Sequence, residues 1–109
     1  MTLTTEIFGS VVVVHAPEEL GGEQADSFEL CVERVERSNV VLDLDATETL
    51  DSSGLNALLN LQDKFHALDG DLKISTANSM NRKILEVTRL DQHFEVFDSV
   101  IDAVKAFQV

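Results

Sequence analysis

Residues 51–54, Asp-Ser-Ser-Gly, stand directly in front of a leucine-rich run with helical spacing, Leu55 to Phe65. A short oxygen-bearing side chain in that position accepts a hydrogen bond from a free amide of the first helical turn, a contribution of about 1 kcal/mol. Asp51 or Ser52 can supply this cap. Capping leaves the second hydroxyl and Gly54 unexplained. A glycine within a helix costs roughly 1 kcal/mol relative to alanine, so Gly54 signals close approach by another backbone or by a ligand. The second chemistry that fits is phosphoryl acceptance. Free amides and the helix dipole favour added negative charge at a helix start, whereas a partner docked on the same patch would be expelled by it. Such a site is acceptable to the fold and intolerable at an interface, and Ser52 and Ser53 are equivalent acceptors on these grounds. Hydrolysis by either serine requires a nearby histidine and an oxyanion hole. His15 ends a strand, His66 lies late in a helix and His93 in a loop, and Leu-Asp-Ser-Ser-Gly is not the strained Gly-x-Ser-x-Gly elbow.

A rival constellation is Asp43-Leu44-Asp45-Ala46-Thr47 at the end of an apolar strand. It resembles the nucleophile signature of haloacid dehalogenase-like phosphatases, in which one aspartate attacks phosphorus and the next serves as acid and base beside magnesium. That chemistry also needs a lysine and a second acidic cluster on later strands, for which only Lys73 and Asp71 are available. Strand-end and turn aspartates are the simpler reading. A single cysteine and scattered histidines offer no transition-metal constellation. Gly21-Gly22 is too short for a phosphate-cradling loop and lacks a following lysine, so it reads as a flexible turn. No metal or cofactor is expected.

The composition narrows the function classes. With 109 residues, 44% of them apolar, the chain supports one core and a single domain over residues 1–109. Its 20 acidic residues outweigh 8 basic ones, for a net charge of -12. That field repels nucleic acid and anionic membranes and favours a basic partner. Cys31 has no internal disulfide partner and is expected near the core edge. The start, MTLTTEIFGS, shows no signal-peptide pattern and no apolar run approaches the ~20 residues of a membrane span, so a cytoplasmic location is expected.

The elements that position these residues follow from periodicity. LTTEIF and VVVVH alternate around Gly9-Ser10 as a hairpin. After Pro17 and the glycine pair, Ala25, Phe28, Val32 and Val35 mark an amphipathic helix. VVLDL then forms a strand covered on both faces, at the centre of a sheet. Leu55, Leu58, Leu59, Phe65 and Leu68 are expected to form the buried stripe of the next helix, which ends at Asp69-Gly70. LKIST is a strand, Ser79 to about Leu90 a helix with Met80, Ile84 and Leu85 inward, and FEVF a strand. The last segment is a helix with Val100, Ile101, Val104 and Phe107 inward, capped by Asp98 or Ser99. The order ββαβαβαβα predicts an α/β domain: a mixed, mainly parallel sheet of about five strands with four helices. Val12, Val14, Phe28, Val32, Val41, Leu42, Leu44, Leu58, Leu59 and Ile84 are the expected core.

VVLDLDATETLDSSGLNALLNLQDKF, in this order of elements, resembles the STAS domain of bacterial anti-sigma factor antagonists over nearly the whole chain. The resemblance implies a binding module without catalysis, in which the serine directly after the aspartate, here Ser52, is phosphorylated by an anti-sigma factor that is itself a serine kinase. Unphosphorylated, such a protein captures the anti-sigma factor and releases a sigma factor; a serine phosphatase resets the switch. The partner-binding surface implied comprises Asp51, Ser52, Ser53, Gly54 and Asn56, with Glu19 and Gly21 at the end of the preceding loop. Family members commonly carry Gly-x-Leu-Asp at the end of the second strand, and this chain has Gly21 at or near the aspartate's place, so the resemblance implies that a partner contact is either missing or moved to Glu18 or Glu19. Asn56 replaces a common glycine and is expected to face solvent beside Ser52. The alternative role for the same fold is an unphosphorylated scaffold or a subunit of a larger regulatory or transport assembly.

Overall fold

The valine-rich segments pair as their patterning requires. In the computed structural model, which describes residues 1–107, strand β1 (Thr5–Phe8) turns at Gly9-Ser10 into β2 (Val11–His15), antiparallel and with Phe8 opposite Val11. Gly9 takes a φ of 62°, a left-handed conformation that costs glycine little. The chain continues through β3 (Glu19–Leu20), α1 (Gln24–Glu33), β4 (Asn39–Asp43), β5 (Thr49–Leu50), α2 (Ser52–Ala67), β6 (Asp71–Ser75), α3 (Ser79–Val87), a 3-10 turn (Leu90–Gln92), β7 (Val96–Phe97) and α4 (Val100–Phe107).

The main sheet has the order β1-β2-β4-β6-β7, with β4 at its centre and every pair beyond the hairpin parallel. Alternation along β2, β4 and β6 sends Val12, Val14, Val40, Leu42, Leu72 and Ile74 to one face, where they meet Phe28 and Val32 of α1, Leu58, Leu61 and Phe65 of α2 and Leu85 of α3. Val11, Val13 and Val41 face the other way, against Ala103 and Val104 of α4. Each large side chain so buried contributes about 1.5–3 kcal/mol.

Several sequence expectations need correction. The stripe of α2 is Gly54, Ala57, Leu58, Leu61, Gln62 and Phe65; Leu59 is only half-buried and Leu68, at the C-cap, is exposed. Met80 and Ile101, expected inward, are exposed, and Ile84 is half-buried. In α3 the inward positions are Leu85 and the polar Asn81, whose amide donates to the carbonyls of Leu44 (3.1 Å) and Thr47 (2.8 Å). That requirement rotates the helix away from Met80. The helix stops at Val87 rather than Leu90, and β7 comprises only the second half of FEVF. The α4 cap is Ser99, whose Oγ accepts from the Asp102 amide at 3.1 Å. Cys31 is half-buried, its thiol 3.6 Å from the Met1 carbonyl.

The additional feature is a second sheet, in which β3 and β5 pair in parallel, Glu19 with Thr49 and Leu20 with Leu50. It draws the loop before α1 against the start of α2.

Candidate functional site: the start of helix α2

Asp51 is the cap. Its backbone is extended and its Oδ1 accepts from the Gly54 amide at 3.1 Å. The other oxygen, Oδ2, accepts from the Gly22 amide at 3.0 Å, so one carboxylate ties the loop before α1 to the first turn of α2. Two glycines make this possible. A Cβ on Gly54 would lie 2.2 Å from the Leu20 carbonyl oxygen, and one on Gly21 would lie 2.2 Å from Asp51 Oδ1. Gly54 thus marks a close backbone approach, that of β3. No side chain fits at Gly21 while Asp51 caps, so an aspartate of the Gly-x-Leu-Asp type has no room there; Glu18 and Glu19 are exposed beside it. Gly22, with a φ of 52°, presents its amide to Asp51. Its role was not legible in advance, because a glycine pair in a loop looks the same whether it is slack or specifically bonded.

With Asp51 committed to amides, both serines are spare. Ser52 and Ser53 are exposed, and among the described residues no side-chain hydrogen bond engages either hydroxyl. They are not equivalent. Ser53 lines a groove between α1 and α2 together with Asp26, Glu29, Asn56 and Asn60, while Ser52 lies outside it. Asn56 is exposed, one helical turn beyond Ser52. A second groove, of Glu19, Gly21, Gly22, Glu23, Thr49 and Asp51, adjoins the cap. Carboxylates therefore border Ser53 on the α1 side.

The rival aspartates are consumed differently. Asp43 Oδ2 meets His15 Nδ1 at 2.7 Å and its Oδ1 accepts from the Asp45 amide at 2.9 Å. Asp45 Oδ1 accepts from the Ala77 amide at 2.6 Å, and the buried Thr47 hydroxyl donates to the Pro17 carbonyl at 2.8 Å. The signature positions close turns. Lys73 is turned away, with Nζ 3.0 Å from Asp71 and 2.9 Å from Glu95, and 4.6 Å from the centroid of the Phe107 ring. Burial opposes its charge, but the bonds to Glu95 and Asp71 prevail and its pKa is raised. Burial likewise opposes charge on Asp71, and the Lys73 and His66 bonds outweigh it, lowering its pKa. His15 Nε2 also meets Glu6 at 2.7 Å; chiefly through that bond, and against burial, the His15 pKa is raised.

The STAS domain family model matches residues 2–103. The chain is a STAS domain. Among solved structures, this STAS domain is similar to an anti-sigma factor antagonist of Mycobacterium paratuberculosis, at 26% identity over 99% of this chain and 94% of that one, with a TM-score of 0.88. A Thermotoga maritima protein assigned as an anti-sigma factor antagonist superposes with a TM-score of 0.90 at 22% identity, covering 98% of this chain and 95% of the other. The Bacillus cell fate determinant SpoIIAA in its phosphorylated form has the same fold at 14% identity, with a TM-score of 0.72 over 97% and 99% of the two chains. A search by sequence among curated proteins finds no match. The fold is that of the anti-sigma factor antagonists. Among the described residues, no helix of this STAS domain is long and apolar enough to cross a membrane.

Proposed function

We propose that this STAS domain is an anti-sigma factor antagonist switched by phosphorylation of Ser52. The observation that carries the reading is the division of labour at the start of α2: Asp51 alone supplies the cap, and Ser52 stands exposed without a structural task. A phosphate on Ser52 meets the positive end of the α2 dipole, so the fold tolerates it. A phosphate on Ser53 would enter a groove that holds Asp26 and Glu29; Glu29 is paired with Lys64 at 3.2 Å, and the charge of Asp26 opposes the phosphate. This supports Ser52 rather than Ser53 as the proposed acceptor. The similarity to SpoIIAA, which exists in a phosphorylated form, supports the same reading.

The proposed partner is an anti-sigma factor that is also a serine kinase, contacting Ser52, Ser53 and Asn56 with the exposed Glu19 at the rim, and releasing a sigma factor when captured. Asp51, Gly54 and Gly21 shape this surface from beneath. A net charge of -12 suits a basic partner face. Phosphorylation adds about two negative charges that an interface would have to desolvate, and a serine phosphatase restores binding. The module performs no catalysis and acts in the cytoplasm. Site-localising mass spectrometry after incubation with the cognate kinase and ATP tests the assignment. Phosphate is expected on Ser52, absent from Ser52→Ala and retained in Ser53→Ala. A protein that the kinase leaves unmodified would instead be a constitutive scaffold.

A further inference from the structure

We infer that the outer edge of β1 is a self-association surface, on which two copies of the chain join their β1 strands antiparallel about a two-fold axis through Ile7. Among the described residues, strand β1 pairs on one side only, with β2. Free strand edges are usually blunted by proline, lysine, a bulge or a covering segment, and Thr-Glu-Ile-Phe carries no proline or lysine. Ile7 is 63% exposed and Phe8 42% exposed. The opposite edge, β7, has only two residues.

The register follows from two parities. The His15 amide donates to the Thr4 carbonyl, so with a period of two the backbone groups of Glu6 and Phe8 point at β2 and those of Thr5 and Ile7 point outward. A two-fold axis normal to the sheet also keeps each face continuous only if it passes through a residue. An axis through Ile7 satisfies both conditions: Ile7 exchanges its backbone bonds with Ile7 of the second copy, and Phe8 stands opposite Glu6 of that copy. Phe8 and Glu6 both lie on the α4 side, since they pair with Val11 and Val13.

Charge favours a second copy as the occupant. Beside Phe8 runs an apolar groove lined by Val100, Ile101, Val104 and Lys105. Lys105, one of only 8 basic residues, thus borders the position that Glu6 of the second copy would occupy, and the relation is reciprocal. The contact sets a cation within an apolar seam against an acid whose Oε1 also bonds His15 Nε2 of its own chain, leaving Oε2 for the lysine. Elsewhere the two chains, each at -12, repel one another, so association should strengthen as salt screens that repulsion.

Sedimentation equilibrium of the full chain, at low and moderate salt and up to about 1 mM where weak interfaces act, tests the proposal. The parent is expected to form dimers, more of them at moderate salt. Ile7→Lys should remain monomeric with an unchanged circular dichroism spectrum, Lys105→Glu should weaken association about tenfold, and Val87→Lys, on the exposed face of α3, should behave as the parent. Hydrogen-bonded antiparallel pairs place their Cα atoms about 5.5 Å apart, within disulfide range. Ile7→Cys with Cys31→Ser should therefore oxidise to a covalent dimer that Val87→Cys with Cys31→Ser does not form. A parent that is monomeric at every salt and concentration, or an Ile7→Lys chain that dimerises like the parent, overturns the proposal. Should Ile7→Lys fail to fold, the cross-link decides, and its absence is equally contrary.

Discussion

The start of α2 and the carboxyl end of β2 and β4 are both crowded with acids, yet their side chains are spent in opposite ways. At α2 a single carboxylate, Asp51, satisfies the amides of Gly22 and Gly54 and leaves the neighbouring hydroxyls free. At the strand ends, Asp43, His15 and Glu6 satisfy one another, while Asp45 and Thr47 close turns against Ala77 and Pro17. The residue types at the strand ends look the more reactive, but reactivity needs groups that folding has not already engaged. Availability, more than chemical type, distinguishes the proposed site from the strand-end scaffold.

Filling the close approach beneath α2 should have the largest effect. Gly54→Ala puts a methyl group against the Leu20 carbonyl, and overpacking of this kind should cost about 2–3 kcal/mol, read as a lowered midpoint in urea. On the opposite side of the sheet, Lys73→Met removes the cation shared by Asp71 and Glu95. Because both acids are partly solvated, the loss should be about 1–2 kcal/mol rather than that of a fully buried pair. Asp51→Ala should cost about 1 kcal/mol. It also gives a sharper test of the cap, since Gly21→Ala should destabilise the parent and be nearly neutral in the Asp51→Ala background, where the obstructing carboxylate is gone. Additive effects in that cycle would show that Asp51 does not fill the space over Gly21.

The smallest effect belongs to His15. Its folded pKa is raised, so its contribution to stability is complete below the unfolded value of about 6.5 and is lost as pH rises through the folded value. His15→Gln should therefore lower the thermal midpoint more at about pH 5.5 than at about pH 9. An equal loss at both values would mean that the imidazole is neutral between Glu6 and Asp43.

Long periodic segments were readable and short or polar contacts were not. VVLDL announced the central strand because both of its faces are covered, and Leu58 and Phe65 placed α2 against the sheet. Strands β3 and β5 have two residues each, too few for any alternation to show. Leucine spacing alone misaligns the α2 stripe because Gly54 and Gln62 belong to it, one as a backbone contact and the other through bonds to the Leu72 backbone. In α3 the inward polar Asn81 hides the true face, so apolar spacing turns Met80 the wrong way. At the site, spacing isolated Asp51 to Gly54, but choosing between Asp51 and Ser52 as cap required the backbone at Gly54, and the proposed preference for Ser52 over Ser53 draws on the groove beside α1.

Calorimetric titration of the anti-sigma kinase with the unphosphorylated parent, its Ser52-phosphorylated form and Ser52→Asp tests the central claim most directly. Aspartate at the start of α2 is favourable to the helix by about 0.3–1 kcal/mol, so all three should be equally folded. Burying that unpaired charge at an interface should cost about 2–5 kcal/mol, one to several decades of affinity, with phosphoserine the more disruptive. Tight binding by the parent, weakened binding by Ser52→Asp and loss of binding by the phosphorylated form is the predicted result. Folded Ser52→Asp and phosphorylated proteins that bind as tightly as the parent would contradict it.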